Sequence, residues 1–155
     1  MPAAFVPSDR GPDGARGRVR LDGLALNQAV VDEVFAQASE EQAVNFFVAV
    51  GRRLAGTLVL PDDDRLLSLE QATNGVWQRL GLGHAAWTVN DEGILISHAD
   101  YAGNGPVSSS TWPKAAAAVV LGAYASWFEA LGDGELLHTR LVQQTSDRIV
   151  IHHGL

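Results

Sequence analysis

The sequence predicts an α+β fold, with helices and strands segregated along one chain. Two observations lead to this class. Three segments between residues 24 and 80 place their apolar side chains at helical spacing, and residues 112–132 form a further helical segment. Two pairs of short, β-rich segments follow the third helix and the fourth, each pair joined by a tight turn. The predicted order is three helices, a β-hairpin, a long apolar helix and a second hairpin.

The first 20 residues are rich in Pro, Gly and Arg and have no periodicity, which predicts a disordered, flexible N-terminal arm. Residues 21–155 are then a single domain, and that length can bury a core without staples. A first helix is predicted over residues 24–38. Ser39 and Gln42 have the spacing of a capping box, which predicts that a second helix begins there and ends before Pro61.

Residues 61–64 read Pro-Asp-Asp-Asp and are the most charged run of the chain. Consecutive carboxylates on a turn diverge, and no further carboxylate follows at the spacing of a calcium loop. We therefore interpret the run as acids that meet the positive end of a third helix from Leu66 to Leu80, and we predict no metal site. Gly81 is predicted to end that helix as a left-handed cap.

The first hairpin is predicted from residues 84–90 and 94–98, connected by residues 91–93, and the second from residues 136–142 and 148–152. The outer ends of each hairpin carry histidines, namely His84 with His98 and His138 with His152. Each pair could lie as cross-strand neighbours, and a hydrolase would need His98 with Asp100 in a cleft. Half-exposed sheet histidines without a function are the favoured interpretation.

The fourth helix, residues 112–132, is apolar on nearly every side, which indicates burial on every side. Ala118, Gly122 and Ser126 recur every four residues and form a face of small side chains. We expect this face, with Tyr124 and Trp127, to contribute to a contact between copies of the chain. The alternative is a central helix of a monomeric core, whose small residues meet an internal partner.

Composition excludes several classes of function. The chain has no cysteine, so disulfides and thiolate chemistry are absent, and a single lysine gives little support to phosphate-binding or Schiff-base enzymes. The formal charge is −7, and beyond residue 20 the chain carries 16 acidic against 7 basic residues. Such a body does not favour nucleic acid or an anionic membrane as a partner. No apolar run has transmembrane length or signal-peptide form, so we expect no membrane insertion and a cytoplasmic location, with the periplasm as the alternative.

Four tryptophans raise the possibility of stacking on sugar rings. Trp77 and Trp127 lie on apolar helical faces, whereas Trp87 and Trp112 could be exposed. No nucleophile elbow or dinucleotide fingerprint is present. These residues alone predict an oligomeric α+β domain without catalytic activity or cofactor. A sensor domain that encloses a small molecule, with His84 or His98 as contacts, is the alternative.

Four motifs, taken in order, resemble the family of the D subunits of bacterial cellulose synthase complexes. They are FFVAVGRRLAG at 46–56, LLSLEQATNGVWQRLGLGHAAW at 66–87, ILISH at 94–98 and WPKAAAAVVLGAYASWFEALG at 112–132. The likeness covers residues 28–153. It implies a noncatalytic scaffold that forms a ring-like homo-oligomer, an octamer, works with the other synthase subunits, and aids the export and bundling of β-1,4-glucan.

The family's N-terminal region is associated with the interior of the ring, which makes the arm a candidate for contact with glucan or a protein partner. Arg16, Arg18 and Arg20 are its candidate residues, because guanidinium groups can donate hydrogen bonds to sugar hydroxyls.

Overall fold

The computed structural model describes residues 23–63, 65–103, 109–132 and 134–155. Four helices and four strands follow one another in the predicted order, so the α+β prediction is confirmed. The helices are α1 (Gly23–Gln37), α2 (Glu40–Ala55), α3 (Leu66–Leu80) and α4 (Trp112–Ala130); the strands are β1 (His84–Asn90), β2 (Gly93–Ala99), β3 (His138–Gln144) and β4 (Arg148–Gly154). The predicted flexible arm lies outside the described residues.

Local signals in the sequence set most of the helix boundaries. Ser39 and Gln42 form the predicted capping box, in which the Gln42 backbone N–H donates to Ser39 Oγ and the Ser39 N–H donates to the Gln42 side chain. Gly81 caps α3 in the left-handed conformation, with φ of 66°. At the start of α3, Asp63 accepts hydrogen bonds from the Arg65 backbone and the Ser68 hydroxyl, as expected for an acid before a helix.

The four strands form one antiparallel sheet in the order β1-β2-β4-β3. Each hairpin pairs its own two strands, and the sheet is completed by the pairing of β2 with β4. The first strand of the second hairpin lies two residues later than predicted, since it begins at His138 and Leu136 is 76% exposed before it, whereas β4 begins at the predicted Arg148. A bulge between Leu141 and Gln143 interrupts the register of β3.

Helix α4 is the centre of the molecule, and ten of its 19 residues are buried. Its aromatic residues pack with isoleucines from β2 and β4 in the main core. On its other side α4 lies against α2, and the two helices run in the same direction. Ion pairs join Glu40 to Lys114 at one end of this contact and Arg52 to Glu129 at the other.

The contact between α2 and α4 is close because a glycine from each helix faces the other. A Cβ atom on Gly122 would lie 2.0 Å from the carbonyl oxygen of Val48, and one on Gly51 would lie 2.0 Å from that of Val119. Both distances are far below van der Waals contact, so only glycine permits this approach. The close neighbour of Gly122 is therefore α2 of the same chain.

Candidate functional site: an apolar groove between the helices

Most residues predicted at a subunit contact are buried within the chain itself. Ala118, Tyr124 and Trp127 are 4%, 0% and 2% exposed, and Gly122 is also buried. Ser126 alone is partly exposed. The first four residues therefore lack the free surface that a direct contact needs, because α2, α3 and the sheet already cover them. A contact between copies that uses this face stays a prediction.

Tyr124 belongs to a buried hydrogen-bonded chain that joins three elements. Trp77 Nε1 on α3 donates to the Tyr124 hydroxyl over 2.9 Å, and that hydroxyl lies 3.1 Å from Nδ1 of His98 on β2. His98 Nε2 lies 2.6 Å from the carbonyl oxygen of Leu82. Because a carbonyl can only accept, Nε2 carries the proton and Nδ1 accepts from Tyr124. Every polar side-chain atom of this hydrogen-bonded network has a partner, so we interpret the network as structural.

Burial controls the ionisation of this network. It lowers the pKa of His98 to about 4, although the hydrogen bond to Leu82 acts in the opposite direction. Burial also raises the pKa of Tyr124 above its ordinary value. Both side chains are therefore neutral near pH 7, and His98 is 0% exposed. A histidine in this state is out of reach of a substrate, so the hydrolase hypothesis based on His98 with Asp100 is wrong.

The expected pairing of His84 with His98 is also wrong. The register sets His84 opposite Ala99 and His98 opposite Ala85, so the two histidines lie on opposite faces of the sheet. His84 is exposed whereas His98 is buried, and they cannot share a ligand. In the second hairpin His138 lies opposite Gly154, and Arg140 lies opposite His152. Within the described ranges, no group of three metal-ligating side chains could hold an ion.

The tryptophans provide little surface for stacking on sugars. Trp77, Trp87 and Trp127 are all at most 6% exposed, which corrects the expectation that Trp87 is available. Trp112 is partly buried, and its Nε1 donates to the carbonyl oxygen of Ala102. Arg16, Arg18 and Arg20 lie outside the described residues.

A different surface has the character of a binding site. A groove of about 360 Å³ lies between α1, α2, α4 and the end of α3, and among the described residues that line it only Asn27 is polar. We call it the helical groove. Four large apolar side chains that line it are 39–48% exposed, namely Val30, Phe46, Val50 and Leu80. Its floor is also apolar and includes Val31 and Phe47.

Helix α1 makes this surface possible because it is only loosely covered. Val31 is its single buried residue, and Leu24 and Leu26 are 50% and 66% exposed. Polar contacts hold it against the start of α4, where Thr111 donates to Asp32 and Gln28 donates to both. An apolar helix that the described residues leave half uncovered is typical of a surface that another molecule buries.

One feature of the sequence indicates the groove, although the apolar pattern as a whole does not distinguish groove residues from core residues. Phe46 and Phe47 are adjacent, and neighbouring helical residues point about 100° apart. Phe47 is 5% exposed and Phe46 is 48% exposed, so only one of the pair can serve the core. Two bulky residues side by side in a helix indicate a second apolar face.

Comparison with known families supports the resemblance found in the sequence. A family model that describes the D subunit of cellulose synthase matches residues 15–154, which is nearly the whole chain. A search of curated proteins found no match. Within the described part of the chain, no helix is both long and apolar enough to cross a membrane. On the extent of the family match, the chain belongs to the family of cellulose synthase D subunits.

Proposed function

We propose that this chain is a noncatalytic accessory subunit of a bacterial cellulose synthase complex that acts as an assembled scaffold. In this proposal copies of the chain form a ring-like homo-oligomer, an octamer by resemblance to the family. The ring organises synthase complexes, contacts their other subunits and helps β-1,4-glucan chains leave as bundles. Family membership supports the association with cellulose synthesis. The exposed apolar side chains of the helical groove support self-association.

The helical groove is the observation that carries the proposal. Exposed apolar side chains from α1, α2 and α3 meet around it, and an interface is where such a cluster becomes favourable. Burial of apolar area contributes about 25 cal/mol per Å², so covering these residues stabilises an assembly.

A copy of the chain is the proposed occupant of the groove. The helical groove is apolar, and one of its walls presents an exposed phenylalanine and an exposed valine of one helix turn, Phe46 and Val50. Residues at i and i+4 lie on the same face of a helix and can pack against the same stripe of a second copy. A small apolar ligand, as in the sensor hypothesis, is the other class of occupant. His84 and His98 do not line the groove, so a ligand bound there would not make the histidine contacts of that hypothesis.

Complementation in a cellulose-secreting host tests the proposal. A strain that lacks this gene receives the wild-type chain, Phe46→Asp in the groove, or Val59→Asp, a control at a 91% exposed position between α2 and α3. We expect the wild type and Val59→Asp to restore cellulose yield and ordered bundles, and Phe46→Asp to restore neither. Equal rescue by both variants, at equal protein levels, would remove the groove from the function. Unchanged cellulose in the deletion strain would reject the scaffold itself.

The arm and the compartment are further parts of the proposal. Arg16, Arg18 and Arg20 are proposed to contact glucan or a protein partner, and replacing all three by Gln should then weaken bundling while the assembly remains intact. The cytoplasm is the proposed location, which fractionation of the host with a periplasmic marker tests.

A further inference from the structure

The two edges of the sheet differ in how their backbone groups are satisfied. On β1, the side chain of Asn74 donates to the carbonyl oxygen of Ala85 over 2.9 Å and accepts from its N–H over 2.8 Å. The carboxylate of Glu70 accepts from the N–H of Trp87 over 2.8 Å. Two side chains of α3 therefore occupy positions that a neighbouring strand would take. The β1 edge is closed over these residues by the chain's own helix.

The β3 edge is open. Six of its seven residues are exposed and the seventh is partly exposed. Alternate residues of an antiparallel strand bond to alternate neighbours. The outward N–H groups of Ala85 and Trp87 fix this alternation on β1, and the strand registers carry it through β2 and β4 to β3. On β3, the backbone groups of Thr139 and Leu141 therefore point away from β4. No hydrogen bond from any other described residue reaches these outward groups.

We propose that β3 is a second assembly surface, on which β3 of another copy pairs antiparallel and joins two four-stranded sheets into one of eight strands. This inference rests on the proposed function, since it gives the scaffold a contact distinct from the helical groove. A single two-fold contact stops at a dimer, whereas a larger closed assembly needs another contact on each copy. The groove and the β3 edge provide two.

A copy of β3 is the partner that this edge fits. The occupant must be an extended strand whose own edge is open, and a two-fold axis sets two identical strands antiparallel. The strand sequence HTRLVQQ contains no carboxylate although the chain carries 18 acidic residues, so two copies approach here without bringing acids together. Leu141 and Val142 are 36% and 50% exposed and become covered by the pairing.

The charge of Arg140 restricts the register. When two identical strands pair antiparallel about a two-fold axis, one residue lies directly opposite the same residue of the other copy. Like charges directly opposite each other are destabilising, so Arg140 does not occupy that position. The two-fold axis therefore passes beside Thr139 or Leu141, the two residues whose backbone groups point outward. The bulge after Leu141 limits the paired segment to the first part of the strand.

Disulfide trapping tests this inference without ambiguity, because the chain has no cysteine of its own. Single cysteines are introduced into the full chain at four β3 positions: Thr139→Cys, Arg140→Cys, Leu141→Cys and Val142→Cys. Thr88→Cys and Val89→Cys on β1 are matched controls, since both residues are exposed on the opposite edge strand. Each purified variant is mildly oxidised at micromolar concentration and resolved by non-reducing electrophoresis. Directly opposed residues on paired strands have Cα atoms within disulfide range.

We expect most of the Thr139→Cys or the Leu141→Cys chain to migrate as a linked dimer, with only traces from the β1 controls. Absence of linkage at all four β3 positions, or equal linkage on β1, overturns the inference. Light scattering on the wild-type chain separates the two proposals. An assembled wild type without β3 linkage rejects only the strand pairing, whereas a monomeric wild type rejects self-association as well.

Discussion

Helix α4 and the helical groove are both apolar, but the chain buries one and leaves the other exposed. Ten residues of α4 are buried between α2 and the sheet, and Val120 and Ala123 have no exposed surface. In the groove, Phe46 and Val30 are each 48% exposed. Apolar composition thus identifies a helix that must be covered, whereas the tertiary arrangement decides which apolar surface remains exposed.

The stability of the buried core around α4 should depend on pH through His98, and this is the largest effect that we expect. Its pKa is about 4 in the folded chain, against an ordinary value of 6.5 for histidine. The unfolded chain therefore binds the proton more readily, and stability falls as pH decreases from 6.5 to 4. The loss reaches about 3 kcal/mol at the low end, since each pKa unit corresponds to about 1.4 kcal/mol.

Urea unfolding between pH 4.5 and 7.5 measures this loss. His98→Gln should remove the His98 part of the pH dependence, and His84→Gln, an exposed control on β1, should retain it. If both variants keep the wild-type slope, the buried network does not govern acid stability.

The close contact of α2 with α4 gives the next effect. Gly122→Ala places a Cβ atom against the Val48 carbonyl and should lower the free energy of unfolding by about 2 to 3 kcal/mol. Gly75→Ala on α3 is the matched control, because its Cβ meets nothing within 4 Å. The control should gain up to about 1 kcal/mol of stability from helix propensity. Chemical denaturation compares the two, and equal stability would mean that the glycine contact is not close.

Loss of the Tyr124 hydroxyl has a smaller expected cost. Tyr124→Phe leaves Trp77 Nε1 and His98 Nδ1 without their shared partner and should cost about 1 to 3 kcal/mol. Tyr101→Phe is a comparison in which the lost hydroxyl donates to the carbonyl oxygen of an exposed residue, Thr145. Its expected cost is about 1 kcal/mol. Thermal unfolding of both variants, followed by circular dichroism, would contradict the network if Tyr124→Phe were the more stable.

Local sequence patterns are sufficient to predict the element order and several boundaries. The capping box at Ser39 and the glycine cap at Gly81 act through neighbouring residues, so spacing alone identifies them. The alternation of Ile94, Ile96 and His98 in β2 sets His98 on the same face as two isoleucines, but it does not identify the partners of the histidine. Tyr124 and Trp77 are far from it in sequence, and only the packing of α3 and α4 brings them together.

The helical groove could not be located from the sequence in the same way. Ala118 and Gly122 have the small-residue spacing of a helix contact, but that spacing does not identify which helix makes the contact. In the fold the contacting helix is α2, whose Gly51 complements Gly122. The difference between Phe46 and Phe47 likewise depends on where α1 and α4 lie. Tertiary geometry, which periodicity does not encode, makes these assignments.

The mass of the assembled chain in solution, compared between Phe46→Asp and Val59→Asp, tests the central claim most directly. Phe46 is on the groove and Val59 is outside it, and since the two side chains are 48% and 91% exposed, both variants should remain folded, which circular dichroism checks. Light scattering at micromolar concentration should give an oligomer for the wild type and Val59→Asp, and a smaller species for Phe46→Asp, whose carboxylate would be buried in the interface. An unchanged mass for Phe46→Asp would contradict the assignment of the helical groove as an assembly surface.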